Sequence, residues 1–276
     1  MTLIRVAHSP DSDDAFMFYA LAKELIDTGE LRFEHVLSDI ESLNREAFEG
    51  TYEVTAVSIH AYAHLDDRYA LLGSGASMGD GYGPVLVARE AVDADGLAEL
   101  KVAIPGRLTS ASLALKMWNP ALQTVTLAFD EIMPAVATGE VDAGVVIHEG
   151  QLTWKDEGFH RIVDLGVWWA EETGGLPLPL GGNVIRRDLG DEMCSRVAAL
   201  LKQSIEYSLG NREEALDYAL DYSRGLDREK ADRFVGMYVN DLTVAYGERG
   251  QKAMRTFLDR AFEERLIPKV PQLDFL

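Results

Sequence analysis

Twice along the chain, short apolar runs alternate with segments that open on a capping residue and close on glycine, the pattern of strand–helix–strand units. Residues 3–8 read as a strand, followed by a helix with Asp13 as its cap, apolar residues from Phe16 onward and Gly29 as its stop. Ser38 and Glu41 stand at capping-box spacing before a second helix that ends at Gly50. Residues 54–57 and 69–72 read as further short strands. From Lys101 the rhythm restarts, with a strand, a helix over 109–118, a strand, a helix over 130–138 and a strand over 143–148. Such alternation requires parallel strands joined by crossover helices, so the fold class is α/β.

After Arg186 the pattern changes. Residues from about 190 to 265 carry apolar faces at three- and four-residue spacing, as in "EEALDYALDYS" and "KAMRTFLDRAFEERL", and read as helices almost throughout. A chain of 276 residues, 47% of them hydrophobic, is more than one compact lobe needs. A helical tail packed back on the first unit divides the chain into lobe 1, residues 1–88 and 184–276, and an inserted lobe 2, residues 89–183. Two extended connectors, near 85–90 and 182–187, join the lobes and leave a central ligand cleft between them.

The charge narrows the partners. With 46 acidic and 26 basic side chains, the formal charge of −20 repels phosphate backbones and anionic lipid, which argues against nucleic-acid and membrane partners. Cys194 is the single cysteine, so neither an internal disulfide nor a cysteine metal cluster can form, and a reducing cytoplasm is the expected location. The first residues lack the basic and apolar regions of an export signal. Five glycines lie between positions 73 and 83, but their order fails the dinucleotide pattern and the segment runs into a strand instead of opening a helix.

In an open parallel sheet, ligands sit beyond the carboxyl ends of the strands. Three loops qualify. "HSPDSDD" (8–14) offers Ser9 and Asp11, although a capped helix start would carry the same residues. "PGRLTSAS" (105–112) opens a helix at Thr109 and Ser110, where free N–H groups and the dipole favour a carboxylate and Arg107 adds a cation. Thr109 serves equally as an N-cap without any ligand. "HEG" (148–150) ends an apolar strand on His148, available as a general base or as a structural imidazole, with Glu149 beside it. Ser58 lies at another strand end, but no nucleophile-elbow motif surrounds it. His60 and His64 share a helical spacing yet lack a third ligand, so no metal site is expected. Trp168 and Trp169, with "GLPLPLGGN", form either core or a stacking wall for a flat ligand.

Together these stretches resemble a known family. "SPDSDDAFMFYAL", "VLSDIESLNREAFEG", "PGRLTSASLAL", "EIMPAVATGEVDAGVVIHEGQLTW", "IVDLGVWW" and "TGGLPLPLGGNVIRRDL" are similar, in order and spacing, to the 1,4-dihydroxy-6-naphthoate synthases of the futalosine route to menaquinone. The resemblance implies a two-lobed type II periplasmic-binding-protein fold and a cytoplasmic lyase without metal or organic cofactor. Its expected reaction cleaves cyclic dehypoxanthine futalosine, a small anionic substrate, to 1,4-dihydroxy-6-naphthoate and a sugar-derived fragment. On that resemblance His148 is the general base, Thr109 and Ser110 are the ligand-binding pair at the helix start, and Ser58 is a cleft serine.

One stretch departs from the family. Where the family often reads "SPCPND", this chain has Asp11 and Asp13, two carboxylates that would repel an anionic substrate unless they bind its hydroxyls or face away. That departure leaves room for a paralogue with a shifted substrate. A carboxylate-capturing solute-binding protein and a chorismate-dehydratase-type enzyme are the alternative readings, and the oligomeric state, homodimer included, stays open.

Overall fold

The computed structural model describes residues 2–92, 97 and 99–276. The chain begins with β1 (Thr2–His8), α1 (Ser12–Ala22), β2 (Leu31–Leu37), α2 (Ile40–Glu49), β3 (Val54–Ser58), α3 (Ile59–Tyr62), β4 (Tyr69–Leu71) and β5 (Ser77–Gly79). It crosses to β6 (Val85–Ala88), β7 (Lys101–Ile104), α4 (Ser110–Trp118), β8 (Gln123–Thr126), α5 (Ile132–Thr138), β9 (Ala143–Val146), α6 (Gly150–Thr153), β10 (His160–Asp164) and α7 (Leu165–Thr173). It returns through β11 (Leu178–Arg186) to α8 (Asp191–Gly210), α9 (Arg212–Leu220), α10 (Arg228–Tyr238), α11 (Asp241–Val244) and α12 (Gly247–Glu263).

Two mixed sheets result. The first has the order β2-β1-β3-β11-β4, with β5 also paired to β11, and the second the order β10-β6-β9-β7-β8. The parallel pairing expected from the alternation holds for β2-β1-β3 and for β9-β7-β8. The strands that carry the chain between the sheets, β6 and β11, run antiparallel to their neighbours. β3 and β9 are buried along their whole length, the burial expected of strands covered on both faces, which is why neither shows polar alternation.

The crossings differ from the expected connectors. Residues 85–88 lie inside the second sheet as β6, and 182–186 belong to β11 in the first, so the chain changes sheets earlier, between Gly79 and Val85 and between Thr173 and Leu178. Two of the five glycines between 73 and 83 have a packing role at the first crossing: a Cβ on Gly79 would stand 2.0 Å from the carbonyl oxygen of Tyr82, and one on Gly83 would stand 2.8 Å from the backbone nitrogen of Gly166, where α7 starts.

Helix caps also moved. The α2 cap is Asp39, whose carboxylate accepts from the N–H groups of Glu41 and Ser42, in place of the Ser38/Glu41 box; Gly50 closes the helix at φ 69° as expected. Glu41 is buried and faces the other sheet, accepting from the Leu108 N–H at 3.4 Å. At α1 the cap position is held by Asp11, not Asp13, and its side chain makes no cap hydrogen bond because it is engaged elsewhere.

Helices α8, α9 and α10 pack on α1, beside the first sheet. Phe16 and Phe18 of α1 share one core with Val197, Leu201, Ile205, Leu216 and Val235, and Ser204 donates to the carbonyl of Met17 at 2.8 Å. Each buried phenylalanine contributes roughly 1.5–3 kcal/mol of transfer free energy. Trp169 belongs to the core and not to a ligand wall: it is fully buried, donates to the Pro177 carbonyl at 3.1 Å and meets Phe257 edge-on. Among the described residues no helix is long and apolar enough to cross a membrane.

Candidate active site

The cavity between the sheets opens where strand ends converge. Residues after β1, β7 and β9 line it, together with the end of β3, β11 and α10, around roughly 720 Å³ of space partly open to solvent. Of the residues singled out from sequence, Ser9, Asp11, Ser58, Thr109, Ser110 and His148 are all at its wall. Two are not. Arg107 is exposed and lies off the cavity, and Glu149 is buried but turned away from it, toward Arg224. Chain proximity to the loops suggested both, and side-chain direction separates them.

His148 lies two residues past the end of β9, in a left-handed backbone conformation at φ 53°. Its Nδ1 is 2.8 Å from Oδ2 of Asp11, and the edge-on ring of Phe129 stands 5.1 Å away. The residue that orients this imidazole is therefore Asp11, across the cavity, and not the adjacent Glu149. This contact also explains why Asp11 does not cap its own helix. With Nδ1 engaged, Nε2 is the ring nitrogen left for a ligand.

Asp11, Asp13 and Asp14 are at most 8% exposed, so their ionisation is set by burial and by one another. Burial pushes the Asp11 carboxyl up, but His148, Asp13 and Arg224 outweigh it and bring it down to about 2. Burial raises Asp13 well above the usual carboxylate range, reinforced by the charges of Asp11 and Asp14. Asp14 is raised by burial and by Asp11, against an opposing hydrogen bond from the Ser9 N–H at 2.8 Å. Burial likewise raises Glu149, against the pull of His148 and Arg224. Asp11 thus faces the imidazole with its charged form favoured, while burial works against the charged form of its neighbours, so the wall is less anionic than its sequence suggests.

The opposite wall carries no charged side chain at the helix start. Thr109 caps α4, accepting from the Ser112 N–H at 3.2 Å and donating to the Gly106 carbonyl at 2.9 Å. The cap leaves the first-turn N–H groups of Ser110 and Ala111, both at the cavity wall, with no carbonyl one turn back to bond. The Ser110 hydroxyl donates to the Leu180 carbonyl at 2.6 Å, which ties α4 to β11. Both readings of Thr109 are compatible, because a cap and an anion receptor use different N–H groups of one turn. His60 packs behind this turn, its Nδ1 3.3 Å from the Thr109 carbonyl, and burial pushes it down to about 4.

Several residues at or behind the wall were not singled out from sequence. Asn44, fully buried, donates to the Ser58 hydroxyl at 3.1 Å and accepts from the Ser58 N–H at 2.8 Å, which leaves that hydroxyl's proton for a ligand. Asn183, on β11, donates to the Gly75 carbonyl while its buried Oδ1 has no protein partner. Tyr238 of α10 holds the Gln151 amide at 2.6 Å. The signal for Asn183 was its place in "LPLPLGGN"; Asn44 and Tyr238 read as ordinary helix residues.

Similarity to other proteins is extensive. A family model described as menaquinone biosynthesis matches residues 4–263. The chain belongs to that family. It is 40% identical over 272 residues, 99% of this chain and 98% of the other, to a Thermus thermophilus protein named 1,4-dihydroxy-6-naphtoate synthase. A crystal structure of an Archaeoglobus fulgidus protein superposes with a TM-score of 0.92 at 50% identity, covering 96% of this chain and 98% of that one. The alkanesulfonate-binding protein of Xanthomonas axonopodis, bound to MOPS, matches at TM-score 0.70 and 14% identity, covering 98% and 96%. Likeness at that distance shows the fold alone, which is the two-lobed periplasmic-binding-protein fold. Membership of the menaquinone family makes this chain an enzyme built on a binding-protein scaffold.

Proposed function

We propose that this enzyme is a cytoplasmic lyase that cleaves cyclic dehypoxanthine futalosine to 1,4-dihydroxy-6-naphthoate, with His148 as its general base. The reading is carried by the His148–Asp11 contact at 2.8 Å on the cavity wall. Asp11 accepts from Nδ1–H, so the unprotonated imidazole presents Nε2 to a carbon acid of the substrate. The electron pair released by loss of that proton moves into the ring as the ring's bond to the sugar-derived part breaks, that fragment leaves, and the gain of aromaticity drives the step. The substrate carboxylate lies against the Ser110 and Ala111 N–H groups, at the positive end of the α4 dipole. The two extra aspartates are compatible with an anionic substrate because Asp11 is paired with His148 and burial disfavours the charged form of Asp13, which faces a ligand hydroxyl.

The test is incubation of the pure protein with cyclic dehypoxanthine futalosine, with the naphthoate followed by mass spectrometry. Turnover is expected, and His148→Asn is expected to lower it by ~10²–10⁴ while leaving binding of the product intact. Asparagine tolerates the left-handed backbone of this position, so the substitution removes the base with little strain. Unchanged turnover in this variant removes His148 from the chemistry. Binding of the naphthoate by a wild-type protein that turns nothing over favours the carrier reading, and dehydration of chorismate favours the sister enzyme.

A further inference from the structure

Three distant parts of the chain meet behind His148. The loop after β1 brings Pro10 and Asp11, the loops after β8 and β9 bring Phe129 and Glu149, and the turn between α9 and α10 brings Arg224. The Arg224 guanidinium donates through Nη2 to the Pro10 carbonyl and through Nη1 to Oε2 of Glu149, both at 3.2 Å. It lies 4.4 Å from the centre of the Phe129 ring, whose edge faces His148. Each point it grips is therefore next to the reacting pair: Pro10 precedes Asp11, Glu149 follows His148, and Phe129 flanks the imidazole.

We propose that Arg224 is a positioning residue for His148, a clamp that holds the Asp11 loop of the first sheet against the His148 loop of the second. The proposal rests on the reading of His148 as the base. Neither member of the dyad can keep its place alone, because they hang from different sheets and the 2.8 Å contact survives only if both loops are held. A planar guanidinium can hold two acceptors and an aromatic face at fixed angles, which a lysine cannot. Glu149 depends on the same clamp. It is 6% exposed, its Oε1 has no partner, and without Arg224 its charge would be buried unpaired. Arg224 itself is held in a left-handed conformation at φ 51°, with Gly225 following at φ 87°, a turn that its surroundings must enforce. Among the described residues Asp11 contacts the imidazole directly, with Glu149 and Arg224 behind it, so a shift in any of these loops changes the surroundings of His148.

The full-length protein tests this with Arg224→Gln, Arg224→Lys and the double variant Arg224→Gln/Glu149→Gln. Nitrogen NMR of the histidines reads the His148 tautomer without any substrate. In Arg224→Gln the tautomer with the proton on Nδ1 should lose its dominance. kcat should fall on the order of 10²-fold, as expected for a small misplacement of a reacting group, with KM little changed. Arg224→Lys should fall between, because it keeps the charge facing Glu149 and loses the fork, and adding Glu149→Gln to Arg224→Gln should cost no further activity. A His148 signal and kcat unchanged in both single variants would overturn the clamp. If Arg224→Gln melts, the lysine variant decides by the same signals. Because the NMR reading needs no turnover, a wild-type protein inactive on the futalosine substrate would end the proposed activity while leaving the clamp to stand or fall on the spectrum.

Discussion

The two walls of the cavity treat charge in opposite ways. The wall after β1 is crowded with carboxylates, and burial works against the charge of Asp13 and Asp14, whereas the wall at the start of α4 has no charged side chain and draws its positive end from backbone N–H groups. An anion can thus enter a protein of formal charge −20 because attraction and repulsion are both decided within a few ångströms, where side-chain counts say little.

Breaking the acidic wall should have the largest effect. Asp11→Asn removes the acceptor that fixes the imidazole, and kcat should fall on the order of 10²-fold; an activity within a factor of two of wild type would refute the orienting role. On the opposite wall, Thr109→Ala should lower stability by about 1 kcal/mol through the lost cap and weaken carboxylate binding as the turn frays, while Thr109→Ser should leave both near wild type. Calorimetry and a titration with the naphthoate separate the two losses.

Within the acidic wall, Asp11 and its neighbours should respond oppositely to pH. Asp11 lies below the ordinary carboxylate range, so its contribution to stability is present above about pH 4 and is lost as the pH falls through about 2. Asp13 and Asp14 lie above that range, so they favour folding below about pH 4 and oppose it as the pH climbs. Asp13→Asn, an uncharged isostere, should therefore raise the melting temperature at pH 8 more than at pH 4, by about 2–4 °C for each kcal/mol relieved. Equal shifts at the two pH values would contradict a protonated Asp13. The smallest effect belongs to Arg107→Ala. An exposed cation off the cavity is screened by salt, and KM should change by less than about twofold.

Much of this was legible in the chain because it follows from local pattern. β3 and β9 announce themselves as buried strands, and loops at strand ends are where ligands bind, so His148, Ser58, Thr109 and Ser110 could be picked out before any coordinates. What sequence hid was direction and long-range pairing. Glu149 and Arg107 neighbour the right residues but point elsewhere, and Asp11 passes for a cap until His148 arrives from the other sheet. Arg224 sits in a polar turn between amphipathic helices, where an arginine ordinarily means solvent. The crossings were misplaced because β6 and β11 are apolar enough to read as connectors or as strands, and only register decides between them.

The positive φ of His148 has a consequence for descent as well as for chemistry. An imidazole occupies a place where the backbone would be more relaxed with glycine or asparagine. A lineage with no use for an imidazole in this cavity would be free to drift toward those residues here, so this one position records whether the ring is needed.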